Sequence, residues 1–172
     1  MRNKTAVVCI VRCVRTSDGG GTMDFVSYNN TYSLTLRRTI RQPIERVWRA
    51  IVNSQERPLW LDPPLQFDFR PGGLIRTAEG LPIAEFIEYE PAERWMLRWF
   101  SPLNRGESKV VVEIVRVNRV TTRLSVRHWN IQTEHDYHEL YAGWLWFLDS
   151  LERYFTTEKY LEYEYPDVYG KR

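Results

Sequence analysis

Cysteine is almost missing from this chain. Of 172 residues only Cys9 and Cys13 carry a thiol, and both stand within the first fifteen. Thiols at C-x-x-x-C spacing, with no second Cys or His pair nearby, are not a zinc pattern. They do not make a disulfide framework for a domain of this size either, and a cysteine nucleophile is excluded beyond Cys13. This usage fits a reducing, cytoplasmic setting. Charge of one sign is missing too: 24 basic against 22 acidic residues leave +2, and the basic residues are dispersed. Nucleic acid or an anionic membrane would call for a basic block or stripe, so neither is an expected partner. No apolar run approaches the roughly 20 residues of a membrane helix, which argues against membrane insertion. There is no P-loop, no G-x-G-x-x-G and no G-x-S-x-G, and their absence speaks against the commonest nucleotide-binding and hydrolytic enzymes.

What the chain has instead is aromatic side chains, 14% of the total, with seven Trp and ten Tyr. The most telling stretch runs from Glu139 to Phe155. Leu140, Trp144, Leu148, Leu151 and Phe155 recur at spacings of three and four, the stripe of an amphipathic helix. Tyr141 and Leu145 widen the stripe, while Glu139, Asp149, Glu152 and Arg153 keep the other side polar. Gly143 stands near the middle, where it costs about 1 kcal/mol relative to alanine. A helix that keeps such a residue has something approaching it closely, so this one is expected to lid a cavity.

Ahead of the ordered part, Ala6 to Ile10 is apolar but interrupted by Arg12 and Arg15, without a cleavage site. Ser17 to Thr22 has linker composition. Residues 1–27 are therefore expected to be a flexible extension, 28–158 one domain, and 159–172 a tyrosine-rich tail. Within the domain, Tyr32 to Ile40 alternates as a half-buried strand, with Leu34, Leu36 and Ile40 on one side. Gln42-Pro43 opens a short helix with Ile44, Val47, Trp48 and Ile51 on its apolar face. Asn53 to Leu61 reads as a second short helix. Strands follow at Leu65–Phe69, Leu74–Ala78, Leu81–Tyr89, Arg94–Phe100, Lys109–Val117 and Thr121–Ile131. Turn residues separate them, including Pro71-Gly72-Gly73, Glu79-Gly80 and Glu90-Pro91-Ala92. The class is α+β: one strand, two short helices, about six antiparallel strands, one long helix.

That order carries a resemblance. TLRRTIRQPIERVWRAIVNSQERPLWL (35–61), FDFRPGG (67–73), EYEPAERWMLRWF (88–100), TRLSVRHW (122–129) and GWLWFLDSLERYF (143–155) together resemble the START-like, helix-grip superfamily. Within it they are similar to the branch named for the activator of the heat-shock-protein-90 ATPase. The resemblance implies a curved antiparallel sheet of six to seven strands wrapped around the C-terminal helix, with a cavity between them that often holds an apolar ligand. The superfamily hosts lipid binders, hormone receptors, aromatic cyclases and resistance proteins, so it says more about fold than about function.

Strand alternation supplies the expected cavity wall. Trp95, Leu97 and Trp99 share one face of their strand, opposite Met96 and Arg98. Leu124, Val126 and His128 share a face of another. Phe67 and Phe69 make a third apolar pair, Trp60 rims one end, and Tyr141, Trp144, Leu145 and Leu148 come from the helix. These are the candidate ligand-binding residues, and the plainer reading of each is packed core. His128, Tyr141 and Arg98 are the polar groups a cyclase-like enzyme would need. Glu85 and Glu88 are expected on opposite faces of one strand, which leaves no catalytic acid–base pair. His135 and His138 could share a helix face, but no third ligand stands at metal-binding spacing, so neither metal nor other cofactor is expected. The partner expected is a small hydrophobic or aromatic molecule that the protein carries, senses or sequesters. A polyketide cyclase or aromatase, or a co-chaperone acting on a chaperone ATPase, is the alternative; a weak homodimer stays open. All of this needs the last helix to cross the sheet without filling the space beneath it.

Overall fold

The computed structural model describes residues 31–100 and 106–157. The N-terminal extension, with Cys9 and Cys13, and the C-terminal tail lie outside the described residues. Seven strands form one open antiparallel sheet: β1 (Tyr32–Ile40), β2 (Gln66–Phe67), β3 (Leu74–Arg76), β4 (Pro82–Glu90), β5 (Arg94–Trp99), β6 (Ser108–Asn118) and β7 (Thr121–Ile131). Their spatial order is β1-β7-β6-β5-β4-β3-β2. Helix α1 (Ile44–Val52) makes the crossover from one edge of the sheet to the other, and α2 (Glu134–Thr157) lies across the sheet's inner face. This is the helix-grip arrangement.

Alternation builds the inner face. On β7, Leu124 and Val126 are wholly buried, and their neighbours Arg123 and Arg127 are exposed. Register carries the pattern from strand to strand, since residues directly opposite in an antiparallel pair share a face: Leu36 lies opposite Val126, Val112 opposite Val126 on the other side, and Trp95 opposite Val112. Helix α1 buries Ile44, Val47, Ala50 and Ile51, and Trp48 follows them partway, packing with Phe69, Tyr89 and Trp95.

Several boundaries differ from the sequence expectation. Helix α2 begins five residues before Glu139, because Thr133 caps it. The Thr133 carbonyl accepts from the Tyr137 N–H at 3.0 Å, and its hydroxyl accepts from the Asp136 N–H at 3.0 Å. The first is the opening intrahelical bond, and the second satisfies a donor that a helix start leaves free. Pro43 is the N-cap of α1 rather than its first helical residue. The second short helix is only a 3-10 turn at Arg57–Leu59. The Asn53 side chain accepts from the N–H groups of Gln55 and Glu56, and this Asx turn competes with a regular helix. The strand expected over Leu65–Phe69 stops at Phe67, since the Arg70 N–H already bonds back to the Asp68 carbonyl.

One correction concerns chemistry. A bulge between Phe86 and Glu88 inserts Ile87 into β4, so Glu85 pairs with Arg98 and Glu88 with Met96. The extra residue flips the alternation, and Glu85 and Glu88 share the outer face instead of opposing faces. Each has an arginine partner, Arg98 for Glu85 and Arg94 for Glu88.

Candidate functional site

The two halves of α2 meet the sheet differently. Toward its C-terminus, Asp149 accepts from the Arg38 guanidinium of β1, and Glu152 lies 3.2 Å from the same side chain. Leu148 and Leu151 are buried there without remainder. The N-terminal half runs over β2 to β5, and there the sheet and helix do not close. A cavity of about 340 Å³ remains. Its helix wall is Asp136, Glu139, Leu140, Gly143, Trp144, Trp146 and Phe147, positions that recur on one face. From the sheet come Phe67, Ile75, Ile83, Trp95, Leu97 and Trp99, with Pro63, Leu65 and Thr77 at the margin. Gly143 is part of the wall, so a helix position that lacks a side chain coincides with the space the sequence led one to expect.

Of the candidate residues, Phe67, Trp95, Leu97, Trp99 and Trp144 line this cavity, and the others do not. Leu124, Val126 and Leu148 are fully buried where sheet and helix are in direct contact. Trp60 is buried against Phe147, with its N–H donating to the Ala50 carbonyl at 3.0 Å. Phe69 packs among Trp48, Phe67, Phe86, Tyr89 and Trp95, behind the wall rather than on it. Tyr141 stacks on Tyr137, and Leu145 is half-buried away from the opening. The physical reason is shared: periodicity tells inside from outside but not packed interior from void. The wall residues that sequence reasoning passed over include Ile75, Ile83, Leu140, Trp146 and Phe147, together with Asp136 and Glu139. Leu140 and Glu139 were visible in the helix pattern. Asp136 was hidden, because its burial depends on where α2 starts.

His128 is fully buried and makes two hydrogen bonds. The Trp144 indole N–H donates to Nδ1 at 3.0 Å, and Nε2 is 2.7 Å from Ser108 Oγ. An indole nitrogen can only donate, so Nδ1 is the acceptor and Nε2 carries the proton toward serine. Burial drives the imidazole pKa down to about 3. A neutral ring with both nitrogens engaged is structural chemistry rather than acid–base chemistry. Arg98 is on the outer face with Glu85 and Glu107, so none of His128, Tyr141 and Arg98 reaches the cavity. Trp99 is different. Its Nε1 is a buried side-chain donor with no acceptor among the described residues, although its ring packs on His128 and Trp144.

Arg57 holds the margin in place. Its buried guanidinium donates to the carbonyls of Ile51 and Leu65, at 3.0 and 3.3 Å, and lies over the Phe67 ring. Burial pulls its pKa down. His135 is exposed, and His138 has Glu134 at 3.8 Å. Among the described residues no group of His, Cys, Asp and Glu could hold a metal ion, and no helix is long and apolar enough to cross a membrane.

Comparison with known proteins fits this geometry. The family model described as activator of Hsp90 ATPase homolog 1-like protein matches residues 41–156, from the lead-in of α1 almost to the end of α2. The chain belongs to that family. Among solved structures it is similar to CalU16 from Micromonospora echinospora, at 19% identity and a TM-score of 0.65, over 81% of this chain and 85% of that one. It is also similar to a conserved protein of unknown function, EF2215, from Enterococcus faecalis (18%, TM-score 0.67, 85% of both chains). A third is PFC0360w, an HSP90 activator from Plasmodium falciparum (20%, TM-score 0.56, 74% of this chain and 89% of that one). Likeness at this level of identity establishes the fold that the family members share. No curated protein matches the chain.

Proposed function

We propose that this protein binds a small apolar or aromatic molecule in the cavity beneath the N-terminal half of α2. The observation that carries the reading is the cavity itself: about 340 Å³ left open in a core otherwise filled by rings. Small-molecule sites run from about 300 to 1,000 Å³, with mostly apolar walls and a few polar groups. Here the wall is largely indole, phenyl and aliphatic, and Thr77, Asp136 and Glu139 are its polar members. The Trp99 indole N–H, which has no acceptor among the described residues, supports the reading, since a buried N–H without an acceptor costs about 1–3 kcal/mol.

Titration with a neutral aromatic fluorophore such as N-phenyl-1-naphthylamine tests it, followed by fluorescence and thermal denaturation. Binding that raises the melting temperature of the wild type, and that is lost when Leu140→Trp or Thr77→Trp fills the space, is the expected result. Both positions are half-buried on the wall, and circular dichroism checks that the variants fold. If the fluorophore binds both filled variants as it binds the wild type, the cavity is not the site.

The family description brings a second reading, stimulation of a chaperone ATPase. An ATPase assay with the purified chaperone and this chain reads it directly. For the cyclase reading, the three polar candidates His128, Tyr141 and Arg98 all lie off the cavity wall.

A further inference from the structure

If the cavity is a binding site, its wall also decides which form of a molecule can stay there. Among the described residues no Lys, Arg or His lines it, and three side chains with polar ends do: Thr77, Asp136 and Glu139. All three are already engaged within the chain. The Thr77 hydroxyl donates to the Glu79 carboxylate and accepts from the Leu81 N–H at 3.3 Å. Asp136 is only 2% exposed, and Asp136 and Glu139 each have an interaction of their own. Arg57, packed on the Phe67 ring, gives its guanidinium N–H groups to the Ile51 and Leu65 carbonyls. The Trp99 N–H is itself buried. What stays open to a ligand is ring and aliphatic surface.

Desolvation turns that wall into a filter. An ion entering such a space leaves its hydration shell behind. Attraction inside the protein offsets the loss only where a counter-charge and further hydrogen bonds are supplied. Recruiting Asp136 or Glu139 as the counter-charge would disturb the interaction each already has. One indole donor does not replace the water around a carboxylate. A neutral ring of the same shape meets none of these costs and keeps the apolar contact.

We infer that the cavity takes its ligand in the uncharged form alone, so that affinity for an ionisable aromatic molecule follows the fraction of it that is neutral. Weak acids enter below their own pKa, and amines above theirs. The same property gives the site a direction. A reaction that leaves a carboxylate or a phosphate on the ligand also expels it, and its product does not compete for the cavity.

The inference rests on the binding reading, so its test keeps the two apart. Calorimetry at neutral pH compares two pairs on one ring system: 1-naphthalenemethanol with protonated 1-naphthylmethylamine, and methyl 1-naphthoate with 1-naphthoate. Binding to the wild type counts where the filled variants Leu140→Trp and Thr77→Trp abolish it. Each neutral member is expected to bind more than about tenfold tighter than its ionised partner. Raising the pH toward the amine's own pKa should tighten its apparent affinity about tenfold per unit, as the neutral fraction grows. The alcohol, measured at each pH, should stay constant, and the trimethylammonium analogue, whose charge is fixed, should stay weak throughout. A separation of about tenfold or less in either pair overturns the inference and leaves the binding reading standing. So does a trimethylammonium analogue that tightens in step with the amine. If no neutral probe shows cavity binding, the binding reading fails and the inference with it.

Discussion

Trp144 and His128 are joined by a hydrogen bond that crosses from the last helix to the sheet, indole N–H to imidazole Nδ1 at 3.0 Å. It does two things at once. It fixes the tautomer of a fully buried histidine, and it positions one ring of the cavity wall. Trp99, on the facing strand, packs on both rings but donates to nothing among the described residues. The two tryptophans therefore offer a matched comparison.

Trp144→Phe and Trp99→Phe remove the same indole N–H and nearly the same ring area. Only the first leaves a buried acceptor, His128 Nδ1, without its donor, at a cost of about 1–3 kcal/mol. Trp144→Phe is thus expected to lose that much more stability than Trp99→Phe in urea denaturation. Equal losses would mean that the hydrogen bond contributes nothing beyond packing.

His128 also sets an acid limit. Its folded pKa is about 3, against an ordinary value of 6.5. Above pH 6.5 the ring is neutral in both states, and this group makes no pH-dependent difference. Between 6.5 and about 3 the unfolded chain takes up a proton that the folded chain refuses. Stability therefore falls with falling pH by about 1.4 kcal/mol per unit across that window. Moving from pH 7 to pH 5 should cost on the order of 2 kcal/mol through this group alone. Denaturation of His128→Asn at the same two pH values should show a shallower dependence than the wild type, whatever its absolute stability. Parallel profiles would remove His128 as the source.

How much of this was legible in the sequence depends on the kind of signal. The strand β7 was read to the residue, because Leu124 and Val126 alternate with the polar Arg123, Ser125 and Arg127. Gly143 pointed to open space, because a glycine inside a helix is costly and so informative. The bulge at Ile87 was not legible, since no residue type marks it, and it reversed the expected faces of Glu85 and Glu88. The cavity's composition was half legible. Trp95, Leu97 and Trp99 followed from alternation on one strand, but Leu124 and Val126 obeyed the same rule and lie in solid core. Which part of an inner face remains open is decided by the angle of α2, and that angle depends on the whole packing.

Arg57 gives a third prediction. Its guanidinium spans from the end of α1, at the Ile51 carbonyl, to the Leu65 carbonyl at the cavity margin. A lysine carries the charge but not the planar fork, so it cannot serve both carbonyls and cover Phe67. Arg57→Lys is expected to cost more than about 1.5 kcal/mol, the lower figure for hydrogen bonds to a charged group. Hydrogen exchange should locate the loosening in residues 62–67. A substitution that leaves exchange there unchanged would show that the margin is held by something else.

The last prediction concerns the turn that brings Phe67 to the wall. Gly72 has a positive φ of +77°, with nothing within 4 Å of where a Cβ would stand. Gly72→Ala therefore meets only the left-handed backbone penalty, about 1–2 kcal/mol. Gly73 is the opposite case: its Cβ would lie 2.0 Å from the Asp68 carbonyl oxygen and 2.9 Å from that of Arg70. Both obstacles are backbone, so the turn itself must move. Its neighbours cannot follow freely, because Gly72 N–H bonds to the Phe86 carbonyl and Phe86 N–H bonds to the Gly73 carbonyl, each at 2.8 Å. Gly73→Ala is expected to destabilise the protein more than Gly72→Ala and to weaken binding of a neutral aromatic probe, whereas Gly72→Ala lowers stability and leaves probe affinity intact. Denaturation and fluorescence titration of the two variants, side by side, separate a local conformational cost from a displaced cavity wall; the same affinity in both would place Phe67 outside the binding surface.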